Sequence, residues 1–155
     1  MNGKPYQQRG SRPPDRGGYS GGAPSGSPPL FDPQKDASDL VDDLAFREAQ
    51  NLARINRAQI RQFFQEVKEL HRQLGVFDRN ERDHAYHKAV EPRFKMLRSR
   101  AAYAAGRNKD NEPLKRFIDG AVARVKNAAD FEKFVMHFEA VLGFYYYGPE
   151  RRDSR

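Results

Sequence analysis

Residues 56–75 read NRAQIRQFFQEVKELHRQLG, and their spacing decides the fold class. Apolar side chains recur at Ile60, Phe63, Phe64, Val67, Leu70 and Leu74. Steps of three and four residues place them on one face of a 3.6-residue helix. Asn56 is an N-cap residue with Gln59 three positions on, the order of a capping box. Gly75 closes the run in the usual place for a glycine at a helix C-terminus.

The same period extends both ways. Upstream, residues 36–53 place Leu40, Val41, Leu44, Ala45 and Leu52 on a stripe behind an acidic start of Asp36, Asp39, Asp42 and Asp43. Such a start suits the positive end of a helix. Downstream, residues 81–105 align Tyr86, Ala89, Val90, Phe94, Leu97, Ala101 and Ala105. Pro92 must kink or split that helix, because its ring collides with the preceding turn. Gly106 is expected to end it. Pro113 opens a fourth helix burying Leu114, Phe117, Ile118, Ala121, Val122 and Val125. Asp130 is expected to cap a fifth, with Phe131, Phe134, Val135, Phe138, Val141, Leu142 and Tyr145 inward and Gly148 and Pro149 at its end. The pattern predicts an all-α fold, a single bundle of about five helices.

The first 33 residues differ in kind. They hold seven of the 12 Gly and seven of the 10 Pro, with Met1, Tyr6, Tyr19, Leu30 and Phe31 as their only large apolar residues. Such a stretch buries too little surface to offset its chain entropy. Residues 1–35 are therefore expected to be a disordered low-complexity tail, residues 36–149 the helical bundle, and residues 150–155 a disordered C-terminus. The tail's Arg, Gly and Tyr suit RNA contact; a solubilising tail or an expression remnant has the same composition.

The 155 residues contain no Cys, which excludes a disulfide scaffold, a zinc–thiolate site, an iron–sulfur cluster and a cysteine nucleophile. No apolar run approaches the roughly 20 residues that span a bilayer. With a mean hydropathy of −0.95 and no secretory leader pattern, a cytoplasmic location and no membrane partner are expected.

The net charge of +7 points to polyanions, and it is unevenly placed. Residues 54–107 carry 13 basic and six acidic residues, whereas residues 36–53 carry one and five. At about 100° per residue, Arg57, Arg61, Lys68 and Arg72 share one sector of their helix. Arg82, Arg93 and Arg100 align on the next helix if the kink at Pro92 is small. Two such helices side by side would offer a row of guanidinium groups, and a guanidinium's planar fork matches phosphate. A solvated face with ordinary i,i+4 pairing accounts for the same residues.

Three segments carry a resemblance. They are residues 56–64 (NRAQIRQFF), residues 96–107 (MLRSRAAYAAGR), and residues 131–134 (FEKF) followed by residues 138–142 (FEAVL) and the aromatic run to Gly148. In this order and spacing they resemble the small subunit of the type III-A (Csm) CRISPR effector complex, over about residues 40–148. The resemblance implies a helical protein without catalytic activity and without a cofactor. Several copies of it would stack along the crRNA–target RNA duplex, beside the backbone subunits and against the large Cas subunit. They would hold the target strand by its phosphates without reading sequence. By motif position it implies Arg61, Arg98 and Arg107 as RNA contacts. The charge stripes add Arg57, Arg100, Arg93 and Lys68. The Gly/Pro-rich tail has no counterpart in the family pattern, and the run Phe144-Tyr145-Tyr146-Tyr147 lacks the expected lysine. That run is too aromatic for one buried stripe and forms a candidate self-association or partner surface.

Other chemistry finds little support. Glu81 and His84 match one half-site of a di-iron bundle, which needs two such motifs and two further Glu. His84 and His87 stand three apart, but surface histidines are common. Ser99 and Ser154 lack a nucleophile's context, and no Gly-rich phosphate loop follows a strand. Tyr103 is read as a core residue rather than a base-stacking platform. The competing readings are a helical adaptor that binds proteins and no RNA, and a ferritin-like metalloenzyme.

Overall fold

In the computed structural model, residues 30–148 are described; they contain seven α-helices and no strand. Five helices have nine or more residues, which agrees with the expected bundle. They are α2 (Asp43–Asn51), α3 (Arg57–Leu74), α5 (Glu91–Arg107), α6 (Glu112–Arg124) and α7 (Ala128–Tyr147). Two short helices precede α2 and α5, namely α1 (Ala37–Val41) and α4 (Arg82–Ala85). None of the described helices is long and apolar enough to cross a membrane.

The most apolar helix, α7, forms the axis. It packs against α1, α2 and α3, while α6 packs on α5. Phe134 lies on the inward face of α7, where the rings of Phe31, Phe94, Phe117 and Phe138 surround it at centroid distances of 5.3–5.7 Å. Phe117 also meets Phe138 edge-on at 5.0 Å. Edge-to-face and tilted contacts suit the charge distribution of aromatic rings, so this cluster joins four segments of chain. The expected core residues of α3, α6 and α7 are buried, apart from Phe64 and Leu142, which are half-buried against the same core.

Helix signals succeed where they are local. The Asn56 side chain accepts from the Ala58 and Gln59 amides at 2.8 and 3.4 Å. Gly75 follows the last residue of α3, though with right-handed backbone, φ −64°. Pro113 sits in the first turn of α6. Asp130 is not the cap of α7. Asn127 holds that place, accepting from the Asp130 amide at 2.8 Å, and the Asp130 carboxylate accepts from the Lys126 amide at 3.0 Å. Asn127→Ala is expected to cost about 1 kcal/mol, read as a shift in the urea midpoint at an unchanged slope.

Pro92 has its effect one turn earlier than expected. The chain forms a π-turn over Tyr86–Val90, with the Glu91 amide donating to Tyr86 O, and Pro92 then lies in the first turn of α5. The wider turn accommodates a residue that has no N–H and whose ring crowds the carbonyl four residues back. It also shifts phase: Ala85 is buried and Ala89, expected inward, is exposed. Gly106 does not end α5, which runs on to Arg107. No described residue has positive φ.

Residues 30–35, assigned to the tail on composition, pack on the bundle. Leu30 and Phe31 are buried, the latter only 2% exposed. Phe31 lies against Phe134 and His137. Lys133 Nζ donates to Pro33 O at 2.8 Å, and Asp32 caps a turn through the Gln34 amide. Two large apolar residues suffice to dock a short segment when a cleft lined by aromatics receives them. The remainder of the tail reading, residues 1–29, and the C-terminal residues 149–155 lie outside the described residues.

Two polar side chains, His137 and Glu48, are buried among the described residues. His137 is fully buried, with Nδ1 at 2.6 Å from Leu40 O and Nε2 without a partner among the described residues. Nδ1–H therefore donates, and burial holds the ring's pKa below its ordinary value. Glu48 on α2 is 6% exposed. Its burial pushes the carboxyl up to about 7, against weaker lowering by the Leu30 backbone, the Asn51 side chain and Arg116.

Candidate nucleic-acid interface

Between the N-terminal half of α3 and the C-terminal half of α5 runs an open groove of about 920 Å³. The two helices lie antiparallel there, because Arg54 and Asn56 before α3 share the groove with Arg107, Asn108 and Asn111 at the end of α5. Its walls carry the guanidinium groups of Arg54, Arg100 and Arg107, the carboxylates of Glu66 and Asp110, and the amides of Asn56, Gln59, Gln62, Asn108 and Asn111.

Local structure fixes these groups. Gln59, Gln62 and Glu66 repeat at three and four residues, a polar stripe beside the apolar one. Arg100 pairs with Glu66 across the groove, and Arg93 Nη1 donates to the Gln73 side chain at 3.1 Å one step further along. At the other end the Asn108 side chain accepts from the Asp110 amide at 3.0 Å, and Asn111 Nδ2 donates to Ala104 O at 3.2 Å. These two bonds hold the chain reversal after Arg107. Arg107 lies over the Tyr103 ring, 5.8 Å from its centroid, and donates to the phenol oxygen at 3.3 Å.

The arginines singled out in the sequence do not share one surface. Arg107, Arg100 and Arg93 lie along the α3-facing side of α5. Arg98 is about 160° around α5 from Arg100 and donates to Asp119 of α6 at 3.2 Å, a carboxylate it shares with Lys115. Arg57, Arg61, Lys68 and Arg72 do form one exposed ridge on α3, but that ridge turns away from the groove. On it Arg57 lies 5.7 Å from the Tyr146 ring centroid, and Lys68 Nζ is 3.9 Å from Glu139. Arg72 bonds Glu69 through two nitrogens, which holds the Glu69 carboxyl below its ordinary pKa. Arg61 makes no ion pair among the described residues. Arg82 leaves the row predicted with Arg93 and Arg100; it bonds Phe77 O and Glu132 of α7. The π-turn between Arg82 and Arg93 adds a residue and breaks the alignment.

Exposed ion pairs of this kind contribute about 0–1 kcal/mol each. A phosphate can therefore replace Glu66 or Asp119 as partner at small cost.

The sequence reading missed Arg54 and misplaced Tyr103. Arg54 precedes the α3 cap, outside any periodic pattern. Tyr103 is 66% exposed; α5 turns it to the groove rather than to the core, while Ala104 and Ala105 face inward. The polar stripe Gln59–Gln62–Glu66, which the sequence reading did not single out, marks the α3 wall.

The C-terminal aromatic run divides. Tyr145 is buried and its hydroxyl donates to Ile55 O, so it belongs to the core rather than to a partner surface. It continues the α7 face of Phe134, Phe138 and Val141. Phe144 packs edge-on against Phe46 of α2 at 5.6 Å, whereas Tyr146 and Tyr147 face outward, Tyr147 85% exposed. No cluster of three potential metal ligands occurs among the described residues.

The family model described as Csm2 Type III-A matches residues 34–150. Nothing matches this chain among the curated proteins or the solved structures with which it was compared.

Proposed function

Because the chain belongs to the Csm2 type III-A family, and is thus a small subunit of the CRISPR type III-A Csm complex, we propose that it binds target RNA by its phosphates, without catalysis and without reading sequence. One observation supports this reading above the others: the α3–α5 groove, with Arg54, Arg100 and Arg107 on its walls. The groove would hold one stretch of strand. Arg93, beside Gln73, would extend that track. Arg57, Arg61 and Lys68 on the α3 ridge would attract the strand and contact it outside the groove. Arg98, on the opposite flank, would meet a different segment, held mainly by a neighbouring copy.

Each copy touches few phosphates, so single-copy affinity is low and salt-dependent. Stacking of several copies along the crRNA–target duplex, beside the backbone subunits and the large Cas subunit, supplies avidity. Tyr146 and Tyr147, exposed at the end of α7, form the aromatic surface proposed for contact with another copy or another subunit. The proposed setting is the prokaryotic cytoplasm.

The test is fluorescence anisotropy with the full-length chain and single-stranded RNAs of unrelated sequence. Replacing Arg54, Arg100 and Arg107 together by Ala is expected to flatten the log–log salt slope by about two units, at about 0.7 per phosphate contact. Affinity at ~0.1 M salt then falls about 100-fold, alike for every sequence. A sequence-selective loss contradicts phosphate holding. No binding by the unmodified chain at micromolar concentration contradicts RNA binding altogether and favours the protein-binding adaptor.

A further inference from the structure

We infer that Tyr103 is a base-stacking platform, so that the groove accepts an unpaired nucleotide by its base as well as by its phosphate. This rests on the RNA-binding reading above and deepens it. A tyrosine on a helix that packs into a core normally points inward, since its ring is mostly apolar surface. Tyr103 does the reverse: it is 66% exposed and lines the groove. No other aromatic ring pairs with it among the described residues.

What touches Tyr103 is a cation. Arg107 lies over the ring and bonds its hydroxyl. That contact joins the two side chains across one helical turn, and the exposed ring itself lines the groove. The contact also sets a guanidinium, which binds phosphate or stacks on a base, within one residue's reach of the ring.

The groove's chemistry fits a nucleotide rather than a bare phosphate. Gln59 and Gln62 on the α3 wall each offer two N–H donors and a carbonyl acceptor, the mixture that the edge of an unpaired base presents. A paired base has its face stacked and its edge engaged, so a duplex offers this ring nothing. The ligand class is therefore a single-stranded or flipped-out ribonucleotide. Because stacking is available on every base, the platform adds affinity without sequence preference.

The experiment compares base-bearing and base-free strands on the full-length chain. The probes are a fluorescein-labelled single-stranded oligouridine 12-mer, the same 12-mer annealed to its complement, and an abasic ribose–phosphate 12-mer. The unmodified chain is expected to bind the oligouridine about tenfold more tightly than the abasic strand, the size of one stacked base, and to show no such gain with the duplex. Tyr103→Ala is expected to weaken oligouridine binding about tenfold more than abasic binding, so that the preference disappears; Tyr103→Phe, which keeps the ring and loses the hydroxyl bond to Arg107, retains it. Because the residue is exposed, both variants fold as the unmodified chain does, which circular dichroism checks. Equal binding of base-bearing and abasic strands by the unmodified chain overturns the platform but leaves phosphate holding intact. An equal loss on both strands in Tyr103→Ala also overturns it, since the ring would then act only by placing Arg107. Binding of neither strand overturns both readings.

Discussion

Phe134→Ala is expected to destabilise the bundle by about 3–5 kcal/mol, the largest effect of any single substitution considered for this chain. The ring is fully buried and meets Phe31, Phe94, Phe117 and Phe138 at 5.3–5.7 Å. Alanine removes the transfer energy of the ring and leaves a cavity bounded by four other rings. Those rings sit on the N-terminal segment, α5, α6 and α7, so no one element can move in to fill it. For a domain with a total stability of about 5–15 kcal/mol, this is at least about a fifth. Equilibrium urea unfolding followed by circular dichroism measures it. Tyr147→Ala is the comparison, because an 85% exposed ring has little to lose and should shift the midpoint by less than about 0.5 kcal/mol. Similar midpoints for the two variants would mean that α7 is not the axis of the core.

Glu48→Gln should stabilise the protein, and the gain should depend on pH. Burial favours the neutral carboxyl and raises its pKa from 4.5 to about 7. The folded state therefore holds a proton between those values that the unfolded chain has released. Stability from this group is full below about pH 4.5 and is lost as pH rises through about 7. Above that, the ionised carboxylate is a cost. Glutamine has the same shape and no charge, so Glu48→Gln should gain about 1–3 kcal/mol at pH 8 and almost nothing at pH 4.

His137 works in the opposite sense. Its pKa is lowered, so its contribution is present above its unfolded pKa of about 6.5 and falls as pH drops below it. The two groups offset each other between pH 4.5 and 6.5, which is why the variant-minus-parent difference is the informative quantity. Urea midpoints at pH 4, 6 and 8 give it. A gain equal at all three values would show that the carboxyl titrates as an ordinary surface group.

Several of these features were readable in advance, and others were not. The α3 face from Ile60 to Leu74, its Asn56 cap and the inward residues of α6 and α7 follow from spacing alone. A helix is closed by bonds four residues apart, so its faces are written in the local order of residues. The same logic misjudged the ends. Asn127 and Asp130 are both competent caps, and α7 starts directly behind the first, at Ala128. Composition likewise grouped Leu30 and Phe31 with a Gly/Pro-rich tail. Their burial depends on Phe134 and His137, more than 100 residues away.

The candidate site shows the same division. Arginines with suitable spacing were visible in α3 and α5, and their stripes are real. Where the stripes face is a matter of how the helices pack. The π-turn before Pro92 resets the phase of α5, sends Arg82 to α7, and leaves Arg93 and Arg100 toward α3. Arg98, two residues from Arg100, is carried to α6 instead. The sequence by itself determined that the chain forms an amphipathic helical bundle with its excess charge within residues 54–107, because periodicity and charge are properties of neighbours along the chain. Only the tertiary structure decided that Arg54, Arg100 and Arg107 meet in a groove with Tyr103 turned into it. That groove lies between surfaces some 40 residues apart, and packing two helices with their apolar faces on a common core is what leaves their polar flanks facing each other.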